Sequence, residues 1–198
     1  MRLSEEGRCI RTVIGIDATS SMSRVIAQVL QNIKTCLTRT CVMLDESKIE
    51  SGFEIQLAVY RNYGSGAELL FQSSPFSNNA ADLITFLSSV EASGGQGREA
   101  IEVLYNHIVN VESNVDQLIV IGDAPGNAMS NIISNRRPEK EATYWSNTKY
   151  SKMLDPDQLI QSLVVRRIPV HSFFISNGTN TVRNYFKQVS TQTQGQCS

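Results

Sequence analysis

The chain has 198 residues, enough for one domain with a substantial core. Hydrophobic residues make up 41% and charged residues 19%, ordinary proportions for a globular protein, and the formal net charge is −1. That balance, with no basic stripe, excludes a field that would gather nucleic acid or an anionic membrane, and no apolar run is long enough to span a bilayer.

Residues 1–8 are charged and carry no signal-peptide core, which points to the cytoplasm or to an excised fragment. Cys9, Cys36, Cys41 and Cys197 have no CxxC spacing, and the histidines are His107 and His171, so a structural zinc site is not expected. Cys9 lies near one end and Cys197 near the other. Termini of one domain are often neighbours. A Cys9–Cys197 disulfide, implying an extracellular setting, is therefore the alternative to reduced thiols.

Arg11 to Ile16 is short, apolar and β-branched, and predicts a buried strand. Met22 to Leu37 places Val25, Ile26, Val29, Leu30 and Ile33 on one face of an amphipathic helix. Phe53 to Tyr60 predicts a second strand, and after the turn residues Tyr63 to Gly66 the run Ala67 to Phe71 predicts an edge strand. Ser77 to Val90 is expected to be helical, and a second helix, Arg98 to Val111, follows Gly94-Gly95-Gln96-Gly97. Val115 to Ile121 predicts a strand, and Gly126 to Tyr150 lacks periodicity. Asp155 then caps a helix from Pro156 to Val165, Ile168 to Ile175 predicts a strand, and Val182 to Ser190 a last helix.

Strands alternating with helices imply an α/β fold. The expected form is Rossmann-like and doubly wound, a mainly parallel sheet with one antiparallel edge strand and helices on both faces. Such sheets bind ligands beyond the carboxyl ends of their strands. Two predicted strands end in carboxylates there: Asp17 in Asp17-Ala18-Thr19-Ser20-Ser21, and Asp123 in Asp123-Ala124-Pro125. Asp17 with the Thr19 and Ser21 hydroxyls offers hard oxygen ligands suited to Mg²⁺, Mn²⁺ or Ca²⁺, and Asp123 would close the site. Each has a plainer alternative, Asp17 as a helix N-cap and Asp123 as a turn former. Glu99 reads as surface favoured by a helix dipole, Arg136-Arg137 and Arg166-Arg167 as solvated surface, and His107 and His171 as helix-face and strand residues. Tyr144, Trp145 and Tyr150 either pack the long loop or rim a partner surface, with packing preferred. Asn177-Gly178-Thr179 matches a glycosylation sequon.

IGIDATSSM resembles the first metal-binding segment of von Willebrand factor A domains, Asp-x-Ser-x-Ser, with Thr19 in place of the middle serine. IVIGDAP resembles the segment supplying their last aspartate. FEIQLAVYRNYG is similar to the second strand of the subgroup found beside atypical α-kinases. SGGQGREAI stands at the family's Gly-Gly loop, and IPVHSFFIS and FKQVSTQTQGQC resemble its penultimate strand and the helix ending in Thr-Gly-Gly. The resemblance runs from Thr12 to Gly195. It implies a single domain over residues 1–198 with a metal-ion-dependent adhesion site. Thr19 and Ser21 would bind the ion through hydroxyls, and Asp17 and Asp123 directly or through water. The threonine or aspartate that the Gly-Gly loop usually adds is missing; Ser93 and Gln96 are its weak substitutes. Members often continue into another strand and helix, which leaves open that a chain ending at Ser198 lacks them and belongs to a larger protein or complex.

The expected function is cation-dependent binding of a protein partner through a carboxylate, with Mg²⁺ as the expected ion and Mn²⁺ or Ca²⁺ as alternatives. An enzyme is not expected. A metal-dependent phosphatase would want a second acid where Thr19 stands, Gly-x-Ser-x-Gly is absent, and no Gly-x-Gly-x-x-Gly follows the first strand. A metal-free scaffold of the same fold is the third reading.

Overall fold

The structure is a computed structural model that describes residues 9–46, 52–95, 97–112, 114–136, 142–175 and 180–198. The strands are Ile10–Asp17 (β1), Phe53–Tyr60 (β2), Phe71–Ser73 (β3), Gln117–Gly122 (β4) and Val170–Phe174 (β5). They form one sheet in the order β3-β2-β1-β4-β5. β3 runs antiparallel to β2, and all other neighbours are parallel. The helices are Ser23–Glu46 (α1), Ala67–Leu70 (α2), Ala80–Ser88 (α3), Ile101–Asn106 (α4), Met129–Asn135 (α5), Ala142–Ser146 (α6), Pro156–Arg166 (α7) and Asn180–Gln192 (α8). A π-helical turn, His107–Val111, extends α4.

Alternation along the strands sorts side chains between two cores. Leu57, Val59 and Ile16 face α1 and α3, meeting Ile26, Leu83 and Leu87. Ala58, Tyr60, Val13, Leu118, Val120 and Val170 face the other way, against Leu104 of α4, Leu163 of α7 and Phe186 of α8. This is the doubly wound α/β architecture expected. As expected too, the Asp155 carboxylate caps α7, accepting the N–H groups of Asp157 and Gln158.

Several local expectations need correction. Ala67 to Leu70 is a helical turn rather than a strand: Leu70 N–H donates to the Gly66 carbonyl, and Ala67 and Leu70, three residues apart, are both buried. Pairing with β2 starts at Phe71. The segment without periodicity contains α5 and α6, each burying one anchor, Ile132 and Trp145. Trp145 and Tyr150 pack into the core, while the hydroxyl of Tyr144, half exposed, accepts the Ala67 N–H at 2.8 Å. Arg136 is buried, donating to the carbonyls of Tyr150 and Lys152 with its guanidinium 5.3 Å from the Trp145 ring centre. Its neighbour Arg137 and the sequon lie outside the described residues.

Cys9 and Cys197 are both thiols. Cys9 precedes β1, whereas Cys197 pairs with Ser172 outside β5. At about 4.8 Å per strand step, three steps across the sheet exceed the reach of a disulfide.

Candidate metal centre

β1 and β4 are adjacent and parallel, with Ile16 level with Ile121. Asp17, the last residue of β1, and Asp123, just past β4, therefore emerge at the same end of the sheet. The chain then turns sharply. Asp17 Oδ1 accepts the Thr19 N–H at 2.8 Å, and Met22 N–H donates to the Thr19 carbonyl, winding Ser20–Met22 into a 3₁₀ turn that leads into α1. Thr19 Oγ1 and Ser21 Oγ lie 3.3 Å apart. Asp17, Thr19 and Ser21 are thus brought together.

Asp17 is wholly buried, and its Oδ2 has no hydrogen-bond partner among the described residues. Burial pushes its carboxyl up to about 6; hydrogen bonds from Thr19 oppose the rise, and the nearby Asp123 carboxylate adds to it. The Asp17–Asp123 pairing is therefore electrostatically unfavourable as it stands, and a positive charge between them would relieve it.

The glycine loop lies on the first segment. Ser93 N–H donates to the Ala18 carbonyl and Ser20 N–H to the Gly94 carbonyl. Gly94 and Gly95 have φ of 75° and 119°, a backbone that L side chains rarely adopt, and a Cβ on Gly95 would lie 3.4 Å from Thr19 Cβ. Ser93 is held through its backbone. Gln96 lies outside the described residues.

A cavity of about 500 Å³ opens here, lined among others by Ser21, Gly95, Arg98, Glu99, Asp123 and Thr181. Glu99, expected on the surface, is buried on its wall. Its N–H donates to the Pro125 carbonyl and its carbonyl accepts the Asn127 N–H, so the stretch after Asp123 runs alongside it. The available sequence signal was its place between the glycine loop and the apolar Ala100-Ile101. Tyr60 and Arg61 were also missed as polar groups near the site. The Tyr60 hydroxyl, fully buried, has no hydrogen-bond partner among the described residues; a Cβ on Gly122 would lie 2.9 Å from it and 3.5 Å from Asp17 Cβ. Arg61, buried, donates to the carbonyls of Leu69 and Glu91, and its own carbonyl accepts Ala100 N–H.

Behind the site is a second buried acid. Glu102 accepts the Tyr63 hydroxyl at 2.9 Å and an Asn127 amide hydrogen at 3.4 Å, and burial pushes it up to about 7.

The chemistry of the candidate set is all oxygen: two carboxylates, one with a buried unpartnered atom, and two hydroxyls. That composition fits a hard dication. Among the described residues, no three or more His, Cys, Asp and Glu side chains form a group that could hold a metal ion. The candidate set contains only two acids.

No family model matches the sequence, and no curated protein matches it. Solved structures do match in fold. A von Willebrand factor type A protein from Catenulispora acidiphila superposes with a TM-score of 0.58 at 11% identity, covering 96% of this chain and 38% of that one. The pilus adhesin SpaC from Lactobacillus rhamnosus GG, in its open conformation, superposes with a TM-score of 0.58 at 12% identity, covering 98% of this chain and 28% of that one. A second form of the same adhesin gives a TM-score of 0.57 at 12% identity. The chain spans less than two fifths of the length of each. At such identities the likeness establishes the fold alone.

Proposed function

We propose that this chain is a protein-interaction module whose binding face is the cavity at the carboxyl end of the sheet, working with a divalent cation, Mg²⁺ foremost and Mn²⁺ or Ca²⁺ as substitutes. The observation that carries the reading is the pair Asp17 and Asp123, placed by adjacent strands at one end of the sheet, with Asp17 Oδ2 buried and unpartnered. A buried carboxylate is costly unless it meets a cation or donors. The family resemblance of the two segments and the adhesin among the structural neighbours support the same reading.

Asp17 and Asp123 would balance the charge of the dication, and Thr19 and Ser21 would offer hydroxyl oxygens. The bound ion would supply an electrophilic anchor for a carboxylate of the protein partner. The cavity leaves room for that side chain. A binding role, rather than catalysis, also suits the placement of the histidines: His107 is taken up by Gln56 and His171 by Gln196 N–H, both away from the cavity.

The test is thermal unfolding of the chain and of Asp17→Ala in EDTA, Mg²⁺, Mn²⁺ and Ca²⁺. An ion that binds only the native state must raise the melting temperature as its concentration rises. A rise in the parent that disappears in Asp17→Ala supports the reading. No rise in either favours the metal-free scaffold, which the lack of a three-acid group among the described residues keeps in play.

A further inference from the structure

The glycine loop lacks the ligand that its counterpart usually supplies, yet a carboxylate stands three residues past Gln96. Glu99 is buried, 2% exposed, and forms part of the cavity wall with Ser21 and Asp123. Its backbone is fixed on both sides, by Pro125 and by Asn127, so its side chain is held against the loop. Its Oε1 lies 3.7 Å from where a Cβ on Gly95 would stand, and that point is 3.4 Å from Thr19 Cβ. Any side chain at position 95 would come between the acid and Thr19.

An independent observation points to a ligand. The Tyr60 hydroxyl and Asp17 Oδ2 are wholly buried and have no hydrogen-bond partner among the described residues. Glu99 and Asp123 line one cavity, and Asp17 stands at the end of the strand beside it. Arg61 is engaged with the Leu69 and Glu91 carbonyls, and Arg98 donates to the Gly126 carbonyl at 2.8 Å. Negative charge gathered in this way favours a cation with its water.

We propose that Glu99 is an anionic member of the cation site that acts through water, accepting hydrogen bonds from the water molecules carried by the ion beside Asp17, Ser21 and Asp123. The assignment rests on the metal-dependent reading above. It places Glu99 in the water shell because, among the described residues, no three His, Cys, Asp or Glu side chains form a group that could hold an ion directly. Mg²⁺ keeps several of its waters when bound to protein, and a carboxylate accepting from such water makes a charge-assisted hydrogen bond. Glu99 is thus a positioning residue that does the work of the missing loop ligand from one turn further along the chain.

The experiment is calorimetric titration of Mn²⁺ and Mg²⁺ into the full chain, Glu99→Gln and Glu99→Asp, with melting in EDTA as the control for folding. Loss of such an outer partner weakens ion affinity by about tenfold or more. Glu99→Gln is expected to show that loss with its EDTA melting temperature unchanged or raised, and Glu99→Asp, which keeps the charge, to lose less. Wild-type Mn²⁺ affinity in Glu99→Gln overturns the assignment and leaves the metal site standing. Should Glu99→Gln fail to fold, a weaker Mn²⁺ affinity in Glu99→Asp than in the parent supports the assignment, and equal affinity in the two overturns it. No ion binding by the parent chain overturns both readings together.

Discussion

Asp17 Oδ1 takes the Thr19 N–H at 2.8 Å, while Oδ2 of the same carboxylate, wholly buried, takes no hydrogen from the described residues. One half of the side chain shapes the turn, and the other half stays available to a ligand. The two roles can be separated by substitution.

Asp17→Asn keeps an oxygen for the Thr19 N–H and removes the buried charge. Its melting temperature in EDTA is expected to equal or exceed that of the parent, because desolvation of the carboxylate disappears. Its rise with Mg²⁺ or Mn²⁺ is expected to vanish. Differential scanning fluorimetry reads both; a variant that melts early in EDTA would assign Asp17 to the fold.

Glu102 gives a pH dependence of defined sign. Burial raises its carboxyl from 4.5 to about 7 in the folded state. The folded chain therefore holds a proton that the unfolded chain has released across that window. Stability from this group is complete below pH 4.5 and is lost as pH rises through 7, at a slope of up to about 1.4 kcal/mol per pH unit. The titratable groups facing it are the phenols of Tyr63, Tyr105 and Tyr185, all pushed up by burial and neutral throughout. Glu102→Gln keeps the acceptor for Tyr63. Urea unfolding at pH 5 and pH 8 should show the parent losing stability that the variant retains.

Gly195 approaches the backbone of β5. A Cβ there would lie 2.0 Å from the Val170 carbonyl oxygen and 2.4 Å from its carbon. Backbone cannot step aside as a side-chain tip can, so Gly195→Ala is expected to cost about 3 kcal/mol, the upper part of the overpacking range. Denaturant midpoints measure the loss, and the response of the melting temperature to Mg²⁺ should survive.

Thr193 has a linked role. Its hydroxyl accepts the buried Val170 N–H at 3.0 Å and donates to the Val189 carbonyl at 2.9 Å. Thr193→Val keeps the shape and strands the N–H, at an expected cost of about 1–3 kcal/mol. Thr193→Ser, which restores the hydroxyl, should recover most of it in the same unfolding assay.

The strands and their ends were legible in the sequence because the signal is local. β1 and β2 are apolar runs, and Asp17 and Asp123 directly follow such runs. The four residues of α2 carry too short a pattern to separate a helical turn from a strand, and Phe71 borrows its pairing from β2. α5 and α6 each bury one anchor, Ile132 or Trp145, and one anchor makes no period. Glu99 and Arg136 were read from residue type as surface; distant segments bury them, Pro125 to Asn127 over the first and Tyr150 to Lys152 over the second. Such contacts leave no trace in the spacing of neighbouring residues.

Arg61 holds both borders of the glycine loop, its guanidinium on the Glu91 carbonyl and its own carbonyl on the Ala100 N–H. The span between those borders is thereby set by the residue just past β2 together with the loop's own hydrogen bonds to Ala18 and Ser20. The domain is built like a clasp: Arg61 grips the loop at its two ends, and Ser93 and Gly94 press it onto the first segment, so a change made in the loop would be felt at Thr19.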